Sequence, residues 1–322
     1  MLAAYAARLS ADDPLSALEV GEVGDPTPRD GWVSVAVRAA ALNHHDIFSL
    51  RGVGLAEDKV PMVLGCDAAG VTDDGTEVVV HAVVGDGDRG RGDETLDPKR
   101  SLLSEVYPGT LAERVLVPAR NVVPKPAELS WAEAGSVSTA WLTAYRMLFT
   151  KAAAQPGQTV LVQGAGGGVA TAAVALGRAA GLRMWVTSRS EEKRAKALSL
   201  GADQAFETGA RLPDRVDAVI ETVGEATFGH SLRAVRPGGR VIVSGSTSGP
   251  LPTLELPRLF FLQLELLGST MGTRTELQQL LAFMVASGVR PTIDSTMPLA
   301  EARSGFERLV AGDVFGKIVL LP

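Results

Sequence analysis

One stretch of the sequence decides the fold: Thr159-Val-Leu-Val-Gln-Gly-Ala-Gly-Gly-Gly-Val-Ala-Thr-Ala-Ala-Val-Ala-Leu-Gly-Arg-Ala-Ala-Gly181. Its apolar run stops at Gly164, and an alanine-rich helical pattern starts after Gly168. Glycines let the backbone approach a pyrophosphate, and the N-terminus of the following helix offers N–H groups to it. The stretch therefore predicts a dinucleotide site, whose expected contacts are Gly164, Ala165, Gly166, Gly167, Gly168 and Val169.

The chain around this stretch alternates between apolar runs and helical patterns. Strands are predicted over Thr159–Gln163, Arg183–Ser188, Val216–Glu221, Arg240–Ser244 and Leu264–Ser269, and helices over Val169–Ala180, Glu191–Leu200 and Glu225–Val235. Strands separated by helices are typical of βαβ units, and continuous hydrophobicity fits strands that are buried on both faces. We therefore predict a Rossmann domain, with a doubly wound parallel sheet, over residues 121–287.

The two ends of the chain have a different pattern. Residues 1–120 contain short runs of strand-forming residues, over Trp32–Arg38, Glu77–Ala82 and Leu111–Val117. Residues 288–322 predict two strands around a helix, a segment too short to fold alone. We therefore predict an α/β protein in which 1–120 and 288–322 form one β-rich domain. The polar stretch 85–100 has almost nothing to bury and is predicted to be a surface loop.

Composition and charge narrow the class of function. The 322 residues include 31 Lys and Arg and 37 Asp and Glu, which gives a net charge of −6. A negative net charge does not attract nucleic acid or an anionic membrane surface. No apolar run reaches the roughly 20 residues of a membrane span, and no basic signal-peptide segment precedes the first apolar residues. The single cysteine, Cys66, excludes an internal disulfide and favours a cytoplasmic setting.

The end of the second predicted strand bears on the choice of nucleotide. An acidic residue there would bind the ribose 2′-hydroxyl of NAD, but this chain has Ser188 at that position. A hydroxyl can donate to a 2′-phosphate, and Arg189 and Lys193 lie close enough in sequence to neutralise its charge. The pattern favours NADPH, although Glu191 and Glu192 make this group of charges mixed.

Several motifs follow one another along nearly the whole chain. They are Ala41-Leu-Asn-His-His-Asp46, Pro61-Met-Val-Leu-Gly-Cys-Asp-Ala-Ala-Gly-Val71, Gly109-Thr-Leu-Ala-Glu113, Leu200-Gly-Ala-Asp203, Arg236-Pro-Gly-Gly239 and Gly316-Lys-Ile-Val-Leu320. In order and spacing they resemble the medium-chain dehydrogenase/reductase superfamily, and within it the zinc-free, quinone oxidoreductase-like branch. The resemblance implies a GroES-like catalytic domain with the active site in the cleft beside the Rossmann domain. It also implies a homodimer, for which Gln263–Met271 is the candidate edge strand.

The same resemblance bears on zinc. Zinc-dependent relatives hold a catalytic metal with Cys, His and Cys or an acid, and Asn43, Cys66 and Thr139 stand at those positions here, with Asp67 next to Cys66. Only Cys66 and Asp67 could then bind a catalytic zinc ion, and two ligands hold zinc poorly. Residues 85–108, where the relatives carry a structural zinc site, contain no cysteine. No metal is therefore expected. His44 or His45 could rescue a site, but on an extended segment only one of them would face the cleft.

Zinc-free relatives transfer hydride from NADPH to a quinone or an α,β-unsaturated carbonyl compound. The resemblance therefore implies catalytic roles for Asn43, Asp46 and Asp67. Asn43 would donate to the substrate or the nicotinamide ribose, and Asp46 would orient its neighbours or relay a proton. The remaining cofactor contacts that it implies are Thr139, Val223, Gly224, Gly245, Ser246 and Lys317. Two other functions stay open: a zinc-dependent alcohol dehydrogenase with an atypical metal site, and an NADPH-binding redox sensor with little turnover.

Overall fold

A computed structural model describes all residues from Met1 to Pro322. The chain forms two compact units, Met1–Leu142 together with Met271–Pro322, and Thr143–Thr270. The second unit thus interrupts the first along the chain. No helix in the chain combines the length and the apolar character that a bilayer crossing requires.

The N-terminal part of the first unit consists mainly of short strands. Its elements are β1 (Leu2–Ala6), β2 (Leu18–Glu22), β3 (Trp32–Ala41), α1 (His44–Leu50), β4 (Met62–Val63), β5 (Asp67–Thr72), β6 (Glu77–Val80), β7 (Val83–Val84), β8 (Ser101–Leu102), β9 (Arg114–Pro118), β10 (Val122–Pro124) and α2 (Trp131–Ala134). Helix α3 (Ala140–Tyr145) follows, and it continues as a π-helical segment over Arg146–Lys151 in the second unit.

The second unit is built on one parallel sheet. Its elements are β11 (Thr159–Gln163), α4 (Gly168–Ala179), β12 (Arg183–Thr187), α5 (Glu191–Leu200), β13 (Gln204–Phe206), β14 (Val216–Glu221), α6 (Glu225–Ala234), β15 (Val235–Val243), α7 (Leu256–Phe261) and β16 (Glu265–Gly268). The six strands lie in the order β13-β12-β11-β14-β15-β16, and all neighbouring pairs are parallel. This is the Rossmann order, which reverses between β11 and β14, the place where such sheets bind nucleotides.

The chain then returns to the first unit through α8 (Arg274–Ser287), β17 (Ile293–Pro298), α9 (Ala302–Ala311) and β18 (Lys317–Leu321). Strand β18 pairs antiparallel with β3 in a sheet that also holds β5, β6, β9, β10 and β17. Residues from both parts of the chain, such as Leu50, Leu64 and Phe306, share one buried core. The C-terminal segment therefore buries its apolar residues by completing the first unit.

The boundaries of the two units differ from the predicted ones at both ends. Residues 121–142 and 271–287 lie with the first unit rather than with the nucleotide sheet. The Asn121 side chain donates to the carbonyls of His81 and Val83, and His81 contacts the Gly272 carbonyl oxygen at 2.8 Å. The amide of Arg274 at the start of α8 donates to Glu94. These bonds tie both segments to the first unit, although neither segment has a strand pattern strong enough to reveal it.

The polar stretch 85–100 contains a buried charged group. Its centre is Asp97, whose side chain is fully buried and accepts two hydrogen bonds from Arg89, from Nε at 3.1 Å and from Nη2 at 2.7 Å. The backbone amides of Asp86 and Lys99 donate to the same carboxylate. Hydrogen bonding to Arg89 holds the pKa of Asp97 well below its usual range. The prediction that this stretch buries almost nothing is therefore wrong, because a charged group is buried once its partners surround it.

Candidate functional site

The glycine turn between β11 and α4 has the geometry of an anion site. Gly164 adopts φ of +92°, which favours glycine, and Gly167 is the N-cap of α4, whose first residue is Gly168. The first amides of a helix have no acceptor within it, so those that follow Gly167 are free to meet a phosphate. The structure thus gives the predicted contacts from Gly164 to Val169 the strand–turn–helix arrangement that a pyrophosphate fits.

Basic and hydroxyl groups follow the end of β12, and one of the basic side chains lies against this turn. A Cβ on Gly166 would lie 2.7 Å from Cδ of Lys193, so the lysine side chain lies directly against the glycine turn. Ser188 accepts from the amide of Ser190, which leaves its hydroxyl proton for another partner. Arg194, which sequence reasoning missed, donates to the Ser188 carbonyl at 2.6 Å, and Arg189 is exposed. Three cations and a hydroxyl therefore occur where an NAD site would carry a carboxylate.

Two further turns lie together at the ends of β14 and β15. Gly224 has φ of +92°, and a Cβ there would meet the Gly249 carbonyl oxygen at 2.7 Å and Ser246 at 2.9 Å. A Cβ on Gly245 would lie 2.7 Å from the carbonyl oxygen of Thr222. The turn Val223–Gly224 and the turn Gly245–Ser246, both predicted to meet the cofactor, are thus in close contact. A side chain on either glycine would separate them.

In the first unit, a buried cation joins two of the predicted catalytic residues. The Lys317 ammonium donates to Asn43 Oδ1 at 2.6 Å, to Asp67 Oδ2 at 2.9 Å and to the Leu42 carbonyl at 2.8 Å. The Asn43 amide in turn donates to Asp67 Oδ2 at 3.0 Å and to the Ala41 carbonyl at 3.2 Å. All of these side chains are at most 7% exposed. The structure therefore brings Asn43, Asp67 and Lys317 into one cluster.

The bonds within this cluster bear on the predicted contact of Lys317 with the cofactor. An ammonium group has three N–H donors, and all three are directed at protein oxygens. Its side chain is 2% exposed. In this arrangement Lys317 has no donor left for a phosphate, and its charge instead neutralises Asp67. The other carboxylate oxygen, Asp67 Oδ1, is buried without a hydrogen-bond partner, so the cluster can still accept one donor.

The segment after Asn43 is helical, which overturns the expectation that His44 and His45 lie on an extended segment. Asn43 is the N-cap of α1, and its backbone amide donates to Asp46 Oδ2 at 2.8 Å. The other Asp46 oxygen accepts from the Gly65 amide at 3.1 Å. Burial raises the pKa of Asp46 to about 6. Asp46 thus holds the backbone amides of Asn43 and Gly65 in place.

The two histidines have different surroundings. His44 is exposed, whereas His45 contacts Glu105 through Nε2 at 3.1 Å and Cys66 Sγ through Nδ1 at 3.4 Å. Burial alone would lower the pKa of His45, but its contacts with Cys66 and Glu105 raise that pKa well above 6.5. Burial also raises the pKa of the Cys66 thiol. The S–H group of this thiol donates a hydrogen bond to the Leu103 carbonyl oxygen, 3.2 Å from Sγ. Glu105 and Cys66 lie at opposite ends of the imidazole ring, an arrangement that cannot chelate one ion.

Comparisons with known proteins agree with this architecture. Residues 29–127 match the family described as alcohol dehydrogenase GroES-like domain, and residues 168–286 match the family described as zinc-binding dehydrogenase. The chain is 30% identical to the zinc-type alcohol dehydrogenase-like protein YogA of Leptosphaeria maculans, over 94% of both chains. It is 32% identical to the acryloyl-coenzyme A reductase of Metallosphaera sedula, over 94% of this chain and 96% of the relative. Human quinone oxidoreductase is 29% identical over 93% of this chain and 92% of its own.

These relatives match the chain along nearly its whole length. The chain belongs to the medium-chain dehydrogenase/reductase superfamily. A crystal structure of an NAD-dependent alcohol dehydrogenase superimposes with a TM-score of 0.91 at 33% identity, covering all of both chains. The structure of the 2-octenoyl-CoA carboxylase reductase CinF with NADP and 2-octenoyl-CoA has the same TM-score at 26% identity, covering 99% of this chain and 87% of that one. This member of the superfamily is thus an oxidoreductase with a nicotinamide nucleotide-binding fold.

The second family description names zinc, and this dehydrogenase/reductase has Asn43, Cys66 and Thr139 at the positions where the resemblance places the metal ligands. Zinc in proteins is usually bound by Cys, His, Asp or Glu, and the Asn43 side chain is bonded to Lys317 and Asp67. No group of three His, Cys, Asp or Glu side chains is arranged to hold a metal ion. The Thr139 hydroxyl is buried without a hydrogen-bond partner, so it remains available to a ligand.

Proposed function

We propose that this protein is an NADPH-dependent oxidoreductase that transfers hydride to a quinone or an α,β-unsaturated carbonyl compound without a metal. The observation that carries the metal-free part is the Lys317 ammonium, bound between Asn43 and Asp67. A buried cation there already neutralises the one acidic group that would help to hold zinc. A quinone oxidoreductase and two enzymes named for acyl-CoA substrates among the relatives support this class of acceptor.

In this proposal the protein positions the reactants, while the nicotinamide of the bound cofactor supplies the hydride. The glycine turn from Gly164 to Gly168 binds the pyrophosphate at the start of α4. Both N–H groups of Asn43 are bonded within the cluster, so Asn43 orients the substrate or the nicotinamide ribose as an acceptor, through the second lone pair of Oδ1. Asp46 orients Asn43 through its backbone amide. Catalysis of this kind depends on proximity and on hydrogen bonds to the developing oxyanion.

A panel of acceptors tests the proposed reaction. Purified protein is assayed for NADPH oxidation with quinones, enones, enoyl thioesters and aldehydes, and its zinc content is measured on the same sample. We expect turnover with a quinone or an enone and less than stoichiometric zinc. Stoichiometric zinc with aldehyde turnover would instead establish an alcohol dehydrogenase. Tight NADPH binding without turnover on any acceptor would identify a redox sensor.

The preference for NADPH over NADH is also part of the proposal. The groups that support it are Ser188, Arg189 and Lys193, since a 2′-phosphate bound there would gain charge-assisted hydrogen bonds. Replacing Arg189 and Lys193 together by Ala should raise the Kd of NADPH about a hundredfold, because each such bond contributes about a tenfold effect or more. The Kd of NADH should change about twofold or less in the same fluorescence titration.

A matched control removes the same charge elsewhere. Arg183, at the opposite end of β12, and Lys196, on α5, are both exposed, so the double variant Arg183→Ala with Lys196→Ala also lowers the net charge by two. It should leave both dissociation constants unchanged. If the variant lacking Arg189 and Lys193 loses the same factor of affinity for NADPH and for NADH, neither side chain contacts the 2′-phosphate.

A further inference from the structure

Glu221, at the end of β14, is a fully buried carboxylate whose partners are hydrogen-bond donors rather than cations. Its Oε1 accepts from the backbone amides of Val223 at 2.8 Å and Gly224 at 3.0 Å. Its Oε2 accepts from the Ser231 hydroxyl at 2.6 Å, and the Thr227 hydroxyl lies 2.9 Å from both oxygens. The carboxylate therefore holds the turn after β14 directly, through two backbone amides.

The same group is linked to the ends of two other strands. Gln163, the last residue of β11, donates from Nε2 to the Ser231 hydroxyl at 3.0 Å. Its Oε1 accepts from the hydroxyl of Thr187, the last residue of β12, at 2.6 Å. The Thr187 oxygen in turn lies 3.5 Å from the amide of Gly164 in the glycine turn. Because these side chains are fully buried, water does not compete for their bonds.

With Oε1 of Gln163 facing Thr187 and its Nε2 facing His230 and Ser231, the directions of the hydrogen bonds in this network follow. The second N–H of Gln163 points to Nδ1 of His230 at 2.9 Å, so the other ring nitrogen carries the proton that reaches the Ala210 carbonyl, also at 2.9 Å. Thr187 then donates to Gln163, Gln163 donates to Ser231, and Ser231 donates to Glu221. The series ends on Glu221, a group that accepts only. Removing that acceptor would leave the hydroxyl of Ser231 and two backbone amides without their partner.

The two turns that the network joins are the ones expected to meet the dinucleotide. Gly164 and Gly224 both have φ of +92°, so each turn is held in a backbone geometry that other residues rarely adopt. A Cβ on Gly164 would lie 3.8 Å from the Val223 side chain, so the turns are in van der Waals reach of each other. Their relative position decides how the pyrophosphate and the nicotinamide half of a dinucleotide can bind together.

We propose that Glu221 is a positioning residue for the nucleotide site. It fixes the turn at Gly224 directly through two backbone amides, and it acts on the turn at Gly164 through Ser231, Gln163 and Thr187. This inference rests on the proposed function, because it takes the dinucleotide as the ligand of both turns. Glu221 touches neither the cofactor nor the substrate in this proposal. Its effect is therefore expected on cofactor affinity, not on the affinity for the acceptor.

Two nearly isosteric variants test the proposal. Glu221→Gln places an NH2 group among donors, and Thr187→Val removes the hydroxyl that links Gly164 to Gln163. We expect each variant to raise the Kd of NADPH about tenfold in a fluorescence titration, the effect of losing one buried hydrogen bond. The KM of the acceptor and the kcat at saturating NADPH should change about twofold or less. The double variant should raise the Kd by less than the product of the single effects, because both act on one network.

The control is Ser136→Ala, which removes a fully buried hydroxyl that donates to the Glu133 carbonyl in the first unit. It should leave the Kd of NADPH unchanged. If Glu221→Gln and Thr187→Val lower the melting temperature but bind NADPH as the natural protein does, the network only stabilises the fold and the proposal is wrong. If Glu221→Gln does not fold, the Kd of NADPH for Thr187→Val, measured in the same titration, tests the proposal alone. Failure of the natural protein to bind NADPH would overturn the proposed function itself.

Discussion

At the scale of single residues, the most informative side chain is Lys317. The motif Gly316-Lys-Ile-Val-Leu320 linked this residue to the cofactor, but its partners Asn43 and Asp67 lie 274 and 250 residues away in the sequence. A motif identifies a residue type at a position, whereas the pairing of buried charges depends on which strands meet. Strand β18 lies beside β3, and this pairing brings the lysine to Asn43.

The burial of this cation leads to a prediction about stability. Replacing Lys317 by Met should destabilise the protein by about 3–5 kcal/mol, because Asp67 is left as an uncompensated buried charge. Adding Asp67→Asn should recover much of that loss, since both charges are then removed. Urea unfolding followed by circular dichroism measures both effects.

The control for this substitution is Lys196→Met, which removes an ammonium that is half exposed and paired with Glu192 at 2.6 Å. Lys196→Met should lower the free energy of unfolding by about 0.5 kcal/mol or less. A Lys317→Met variant as stable as this control would contradict the view that the Lys317 charge is needed inside the cluster.

At the scale of elements, the sequence predicted the nucleotide unit better than the first unit. The predicted strands Thr159–Gln163 and Val216–Glu221 and the helix Glu191–Leu200 have the predicted bounds. Long apolar runs, glycine turns and a C-terminal Gly201 with φ of +116° mark these elements locally. The predicted strand Arg240–Ser244 is part of a longer strand, Val235–Val243, whose pairing with β14 has a register irregularity.

The first unit was harder to predict because its elements are short and its polar groups are paired over distance. The α1 helix has seven residues and begins at two histidines, which offer little helical signal. The stretch 85–100 is polar in composition, yet Arg89 allows Asp97 to be buried. The buried Glu221 network could have been noticed, since a charged residue ending a continuously apolar strand is unusual. Its partners on α6 and β11 could not have been read from the sequence.

At the scale of the whole molecule, one edge of the nucleotide sheet suggests how copies associate. Strand β16 is the last strand of the sheet and pairs with β15 on one side only. Leu251, Leu256, Phe260 and Phe261, in the segment that leads into β16, are all more than half exposed. An open apolar edge is a template for pairing with another chain. We therefore expect a homodimer in which β16 of each copy lies at the interface.

The dimer is tested by a charge at this edge. The natural protein should elute with the mass of two 33.6 kDa chains in size-exclusion chromatography with light scattering. Leu266→Lys, in the middle of β16, should shift this mass to that of one chain at micromolar concentration, because a lysine at an edge opposes pairing between strands. Val310→Lys places the same charge on α9, at an apolar side chain that is 47% exposed, and should leave the dimer intact. A natural protein that is monomeric would contradict the dimer itself. A Leu266→Lys variant that remains dimeric would show that the interface lies elsewhere.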